Sequence, residues 1–504
     1  MNSVDVIFCS LPALFVDRLP AAPALLKATA EDAGYSASSV DLNLEFFINQ
    51  ANQNTDNYNQ LSLIFTPNSA ATKESSEAMT QWVQDSVQYI KKVNPKIIGL
   101  SVFTVFQHRA AVALSIALRG AMPESKIIMG GYGLNVNSNG LQTSSLIKKF
   151  DLLKPFWQLA KEKNLADEVF LGTALEDLVN YLQRTLGGSN NFREKYQKEK
   201  PVLFNTPVPN YDDYKLDKYV WNDGPALPIT GSRGCVRDCT FCDVGGQFGK
   251  FTFRTGKDIA NEIIELSQRY NVNTFDFTDS LVNGSLKSFQ EWLRPIAGYN
   301  DSVETYKKIK WYGQYICRPQ TEVSNTIYDL IVRSGCVNLT IGVESGSNEV
   351  LKAMNKNMTT EDVLAELEQF KIHGIQGQLL MLSGFYNETP ERYNETLKFI
   401  VKLQHYIASG AVSAISMGPP LYINELMPLH HLAEEVGVIL DPTDTKNWSI
   451  EGDPSNTLVE RYYRRLVAQL VLDKLGVPMN GNSILNMFQS KLSLEKMKNQ
   501  IINV

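Results

Sequence analysis

The sequence predicts an α/β chain: two successive strand–helix series followed by a helical C-terminal region. Three observations carry that expectation. Apolar residues make up 43% of the 504 positions, enough for large cores. Short apolar runs alternate twice along the chain with amphipathic stretches of helical length, the pattern of parallel sheets with crossover helices. A polar, proline-punctuated stretch, Gly187–Pro209, separates the two series. The length itself suits two or three domains.

The first series opens with a strand at Val4–Cys9. A helix rich in Ala and Leu follows at Pro20–Ala33, stopped by Gly34, and then a strand ending in Asp41. Residues 46–80 are rich in Asn, Gln and Thr with weak periodicity, and read as an irregular or loosely helical insertion. Helix Met79–Val93, strand Lys96–Ser101, helix Ala110–Arg119 and strand Lys126–Gly130 restore the alternation, closed by strand Glu168–Gly172 and helix Leu175–Leu186. This is a Rossmann-like arrangement, expected over 1–190, with a linker over 191–224.

The second series has six candidate strands: Ala226–Thr230, Thr274–Thr278, Lys310–Tyr315, Asn338–Val343, Gly377–Leu382 and Ala411–Met417. Its helix starts carry capping signals, Thr255 before Asp258 and Thr359 before Asp362, with Thr389 ahead of Pro390. Six units suggest a complete or partial β/α barrel over 225–432, with a helical region over 433–504.

Charge and cysteine usage narrow the function. Lys and Arg number 48 against 54 Asp and Glu, a net charge of −6, which disfavours a dedicated nucleic-acid binder. No run of eighteen apolar residues exists to span a membrane, and Met1–Ser10 lacks a basic signal-peptide start. Six cysteines in so long a chain are not a disulfide framework. The expectation is a cytoplasmic protein without a membrane partner.

Cys235, Cys239 and Cys242 form C-x-x-x-C-x-x-C just after the first strand of the second series. Loops at strand carboxyl ends carry the chemistry of such barrels. Thiolates crowded on one loop repel unless a metal ligates and deprotonates them together. Three ligands without a nearby histidine leave a structural zinc site one short, with Asp238 or Asp243 an unusual fourth. On a four-iron cluster, three thiolates leave one iron open. A thioredoxin-like pair at Cys239–Cys242 would make Cys235 surplus. Iron–sulfur, zinc and thiol redox stand in that order.

The triplet, with Phe241 before its last cysteine, resembles the signature of the radical S-adenosylmethionine superfamily. The resemblance implies a radical SAM partial (β/α)6 TIM barrel with a 4Fe-4S cluster on Cys235, Cys239 and Cys242. S-adenosylmethionine would bind the open iron and be cleaved reductively to a 5′-deoxyadenosyl radical. Phe275–Gly284 resembles the family's methionine-amino-group motif, with Asp279 in the acidic role. Thr340–Ser347 resembles its fourth-strand motif, with Glu344 and Ser345 near the ribose or sulfonium. Leu382–Thr389 is similar to its Gly-x-Pro-Gly-Glu-Thr turn, with Tyr386-Asn387 in place of Pro-Gly.

In the first series, Leu19–Pro23, Ile98–Thr104, Met129–Gly131 and Val169–Gly172 resemble the cobalamin-binding domain fused to one subgroup of that superfamily. The resemblance implies cobalamin near Ser101, Thr104, Gly130 and Gly131, and methyl transfer to an unactivated carbon. The alternatives are cobalamin-independent rearrangement, cyclisation or oxidation, and a non-catalytic zinc-stabilised binding protein. It also implies a reductant such as flavodoxin or ferredoxin; the small-molecule or peptide substrate is unspecified. The histidine motif D-x-H-x-x-G is missing, His108 being the only histidine of this half.

Several further residues carry two readings. Arg318 and Lys356 are candidate contacts for the carboxylate of S-adenosylmethionine or plain ion pairs. Phe103 and Tyr132 are candidates to line a corrin face or to pack in a loop. Cys317 and Cys336 read as core filling, and His430-His431 as a diverging, solvent-facing pair. Trp448–Asp453 is a candidate cover for the barrel mouth.

Overall fold

A computed structural model describes residues 3–477 except 66–70, 137–153, 173–174, 189–204, 220, 222–223, 320 and 443. Most of the linker Gly187–Pro209 and the tail beyond 477 therefore lie outside the described residues. The chain forms two compact units, residues 1–228 with 265–274, and residues 229–264 with 275–504.

The first unit is built on strands β1 (Val6–Ser10), β2 (Ala37–Asp41), β3 (Ile97–Ser101), β4 (Lys126–Gly130) and β5 (Glu168–Phe170). They lie in the order β2-β1-β3-β4-β5, every neighbouring pair parallel. All five β1 residues are buried, as a strand covered on both faces requires. In such sheets the strand carboxyl ends form the ligand-binding edge.

The described part of 46–80 takes the helical form of the expected irregular or loosely helical insertion, with regular caps. Helix Leu42–Asn49 starts on an Asp41 side-chain cap, Thr55–Leu61 on Asn54, and Lys73–Val93 on a Thr72–Ser75 capping box. What orders it is a few aromatic anchors rather than a regular stripe. Phe46 meets Tyr58 and Phe65 edge-on at 5.9 and 5.5 Å, and Phe65 meets Trp82 at 6.1 Å.

The second sheet, which belongs to the second unit except for Ala226–Pro228 and Thr274, carries β6 (Ala226–Ile229), β7 (Thr274–Phe277), β8 (Lys310–Tyr315), β9 (Cys336–Glu344), β10 (Gly377–Met381) and β11 (Val412–Met417). They stand side by side in chain order, parallel across β8–β9, β9–β10 and β10–β11. This is an open, six-stranded partial barrel. Alternate side chains face outward into the helix layer. Trp311 packs on Trp292 at 4.9 Å, and Tyr315 on Phe370 at 5.9 Å. Thr359 and Asp362 close the expected capping box, Thr389 caps the helix that begins at Pro390, and Thr255 Oγ1 accepts from the Asp258 amide.

The C-terminal region is not helical throughout. A two-stranded antiparallel ribbon, Val438–Ile439 with Ser449–Ile450, precedes helix Leu458–Lys474. That helix is pinned by a buried pair, Arg464 Nη1 to Glu388 Oε2 at 3.0 Å, with both side chains 2% exposed or less. No helix among the described residues is long and apolar enough to cross a membrane.

Candidate active site

The cysteine loop leaves the barrel just after β6. Gly234 takes φ +76°, and a Cβ there would press on the Gly249 and Lys250 carbonyls at 3.2 and 3.3 Å, so glycine suits the turn into Cys235. Two backbone bonds hold the loop from the other side. The Thr240 amide donates to the Met354 carbonyl at 3.0 Å, and the Leu429 amide donates to the Thr240 carbonyl at 2.8 Å. Phe241 packs against a buried apolar cluster that contains Phe385, Leu421 and Trp448.

Burial pushes all three thiols up, Cys239 to about 11. Each of Cys239 and Cys242 also feels neighbouring sulfur charge. Backbone amides oppose this at Cys235 (Arg237) and at Cys242 (Val244), and the Lys356 ammonium acts against it at all three. Lys356 Nζ sits 5.5 Å from the Phe241 ring centre and 3.1 Å from Glu344 Oε1. Among the described residues, no three His, Cys, Asp or Glu side chains close around a single-ion position.

Glu344 ends β9 at φ +72°, a conformation uncommon outside glycine. Its carboxylate and the Lys356 ammonium fold back over Gly342, where a Cβ would meet them at 2.4 and 3.0 Å. Glu344, Lys356, Phe241 and the cysteines are thus one cluster. Ser345 is not part of it. The next residue along faces the opposite way; Ser345 is fully buried, its Oγ 3.2 Å from Thr396 Oγ1 and accepting from the Ser347 amide.

Asp279 lies beneath the loop rather than open to a ligand. Its oxygens accept from the Gly231 amide at 2.8 Å and the Ser232 hydroxyl at 2.5 Å, and burial raises its pKa to about 7. It positions the segment that leads into Cys235. Arg318 is likewise taken up, donating to the Asn283 and Gly284 carbonyls and pairing with Glu322. In the similar-to-Pro-Gly turn, Glu388 accepts from the Gly384 amide and holds Arg464, so that turn is anchored to the C-terminal helix.

Trp448 does not lie as a loose cover. It is buried, donates from Nε1 to the Leu421 carbonyl at 2.8 Å, and stacks under the Arg461 guanidinium at 3.7 Å. Cys317 is buried, and burial pushes its thiol and that of Cys336 well up. His430 and His431 share the short helix Pro428–Leu432, their rings 5.4 Å apart.

In the first unit, Ser101, Thr104, Gly130 and Gly131 come together at one strand-end edge. Ser101 pairs with Gly130 in the sheet, and the Val102 amide donates to the Gly130 carbonyl at 2.8 Å. A Cβ on Gly131 (φ +113°) would strike the Val102 carbonyl oxygen at 2.5 Å, and one on Gly133 the Thr104 backbone at 2.9 Å. Backbone therefore packs on backbone in a shelf with a glycine at each close contact. Phe103 is 56% exposed beside Tyr132, ring centres 6.4 Å apart, and Phe15 is 75% exposed in the loop after β1. His108 is unsuited to ligate anything here. It is fully buried, stacked on Phe156 at 4.1 Å, with Nε2 2.8 Å from the Gly133 carbonyl, and burial lowers its pKa to about 4.

The sequence reading missed two contributors. Ser232 was legible as the hydroxyl three residues before Cys235. Gly342 was legible as a glycine inside a strand, a sign of close approach.

Residues 229–400 match the model of the Radical SAM superfamily. That segment, which contains the cysteine triplet, is a radical SAM domain. An uncharacterized methyltransferase of Pyrococcus horikoshii is 24% identical over 346 residues, covering 67% of this chain and 71% of its own length. A tRNA-2-methylthio-N(6)-dimethylallyladenosine synthase of Clostridium botulinum is 23% identical over 306 residues; the match spans 58% of this chain and 64% of that protein, under two thirds of it. Among solved structures, the radical S-adenosylmethionine methyltransferase TsrM of Kitasatospora setae, with cobalamin and a [4Fe-4S] cluster bound, superposes with a TM-score of 0.64 at 14% identity. The alignment covers 96% of this chain and 92% of that one. The cobalamin-dependent S-adenosylmethionine radical enzyme OxsB gives 0.62 at 15% identity, covering 94% and 67%. The two-unit α/β architecture is the fold of those enzymes.

Proposed function

We propose that this chain is a cytoplasmic radical S-adenosylmethionine enzyme with cobalamin in its first unit, transferring a methyl group to an unactivated carbon. The observation that carries the reading is the three-cysteine loop itself. It is held at a barrel strand end by Asp279, Met354 and Leu429, with one buried and two half-buried thiols that all feel the Lys356 ammonium. Thiols that burial holds protonated are released from that cost when a metal takes them as thiolates. Cys235, Cys239 and Cys242 would hold a 4Fe-4S cluster, which supplies one-electron reduction of bound S-adenosylmethionine.

The chain's own residues do the rest. Lys356 offsets thiolate charge, while Glu344 offers a carboxylate to ammonium or hydroxyl donors of the nucleoside. Phe241, backed by Phe385 at 6.3 Å, anchors the cysteine loop on the apolar cluster. In the first unit, the glycine shelf and the exposed Phe103 fit a flat, largely apolar macrocycle, and TsrM and OxsB, which share the fold, bind cobalamin. A corrin here would have no ligand from His108. A flavodoxin or ferredoxin would deliver the electron.

Anaerobic reconstitution tests the reading. The expected result is a brown protein that cleaves S-adenosylmethionine with reductant and binds cobalamin stoichiometrically. Cleavage retained after Cys239→Ala would contradict the cluster assignment, and failure to take up hydroxocobalamin would remove the methyl-transfer mechanism.

A further inference from the structure

The inward face of the barrel bears on what the enzyme acts on. In filled β/α barrels the inward positions hold layers of Val, Ile and Leu. Here, at one level across three adjacent strands, they hold Gln314, Thr340 and Gln378. Sheet register puts Gln314 opposite Thr340, and Thr340 opposite Gln378. Their sequence neighbours Gly313, Tyr315, Leu339, Ile341 and Leu379 are buried in the helix layer, so these three point inward.

Gln314 is exposed although its strand is flanked on both sides, and Thr340 and Gln378 are half-buried. Among the described residues, no hydrogen bond closes any of the three side chains. The row is therefore a solvated floor of two primary amides and a hydroxyl, each able to donate and to accept.

This floor adjoins the chemistry. Gly342 lies two residues beyond Thr340 on the same face, a step of about 7 Å along a strand. The Glu344–Lys356 pair lies directly over Gly342. A molecule resting on the row stands beside the cluster that the radical reading places at the strand ends.

We infer that the substrate is a small polar molecule bearing amide or hydroxyl groups, held by Gln314, Thr340 and Gln378. The inference rests on the radical-enzyme reading for the site's chemistry but not for the binding. An apolar ligand there would strip water from two amides and a hydroxyl with nothing in return, whereas sites built to hydrogen-bond a ligand reject analogues lacking the group by up to about 10⁴–10⁵-fold.

Saturation-transfer NMR on the full-length, anaerobically reconstituted protein tests this. The probes are N-acetylglucosamine, L-glutamine and myo-inositol in one pool, with indole and toluene in another, at millimolar concentration. The expected result is saturation of at least one polar probe, weakened about tenfold in Gln314→Leu/Gln378→Leu. The nearly isosteric Thr340→Val should weaken it in the same direction, with thermal melting and iron content unchanged. Signals from indole or toluene alone, no signal from any polar probe, or polar signals that both variants leave intact would overturn the inference. Iron and sulfide content with S-adenosylmethionine cleavage, measured separately, tells failure of the enzyme reading from failure of this one.

Discussion

Asp279 illustrates how a residue's role turns on what its side chain touches. The motif around it pointed to a ligand contact, yet its carboxyl is used inside the protein, tying Gly231 and Ser232 beneath the cysteine loop. Its raised pKa has a testable sign. With about 7 in the folded chain against an ordinary value near 3.8, the folded state holds the proton more tightly between those values. Its stabilising contribution is present at low pH and lost as pH rises through about 7. Urea unfolding at pH 5 and pH 8 should therefore show wild type losing stability relative to Asp279→Asn over that window. A constant difference would contradict the burial argument, and His108, common to both proteins, cancels. At Gly342, a methyl group would displace the flexible ends of Glu344 and Lys356 rather than backbone. Gly342→Ala should leave the melting temperature nearly unchanged while weakening S-adenosylmethionine binding by about 1–2 kcal/mol in calorimetry. Unchanged affinity would remove that pair from the binding site.

Among the elements, the strands and capped helices were the most legible. The strand Lys310–Tyr315 and the helix Leu175–Leu186 match their expected bounds, because alternation and a sharp apolar stripe are local signals. The stretch 46–80 was opaque because its helices depend on scattered aromatic contacts that no period reveals. The same division holds within the site. The cysteines were visible from spacing alone. The Glu344–Lys356 pairing was not, since it depends on a left-handed turn at a strand end, and the burial of Ser345 against the Thr396 helix was not either, since it lies one step along. The C-terminal helix shows the energetic weight of a distant contact. Glu388→Ala removes the buried carboxylate of Arg464 and leaves it only the half-exposed Glu460 at 3.7 Å, and breaking such a buried pair costs about 3–5 kcal/mol. Chemical denaturation should read a loss of that order, whereas a loss below about 1 kcal/mol would mean that water replaces the carboxylate.

At the scale of the whole molecule, one chain supplies two strand-end sites of opposite character. The first unit offers a backbone shelf with glycines at its close contacts, in the same loops as the exposed Phe103. Gly131→Val should abolish cobalamin uptake measured by absorbance, since its side chain has no room against Val102, while His108→Phe should leave uptake intact. Dependence on His108 would contradict its place in the core. The second unit offers three thiols under the influence of one ammonium beside a polar barrel interior. Whether those thiols grip a four-iron cube decides the account. The most direct measurement is iron, acid-labile sulfide and zinc per chain after anaerobic reconstitution, for wild type and for Cys235→Ala, Cys239→Ala and Cys242→Ala. The account predicts iron and sulfide in equal amounts, close to four of each per chain, in wild type and severe loss in every variant. Stoichiometric zinc without sulfide in the wild type, or full iron loading in any of the three variants, would contradict it.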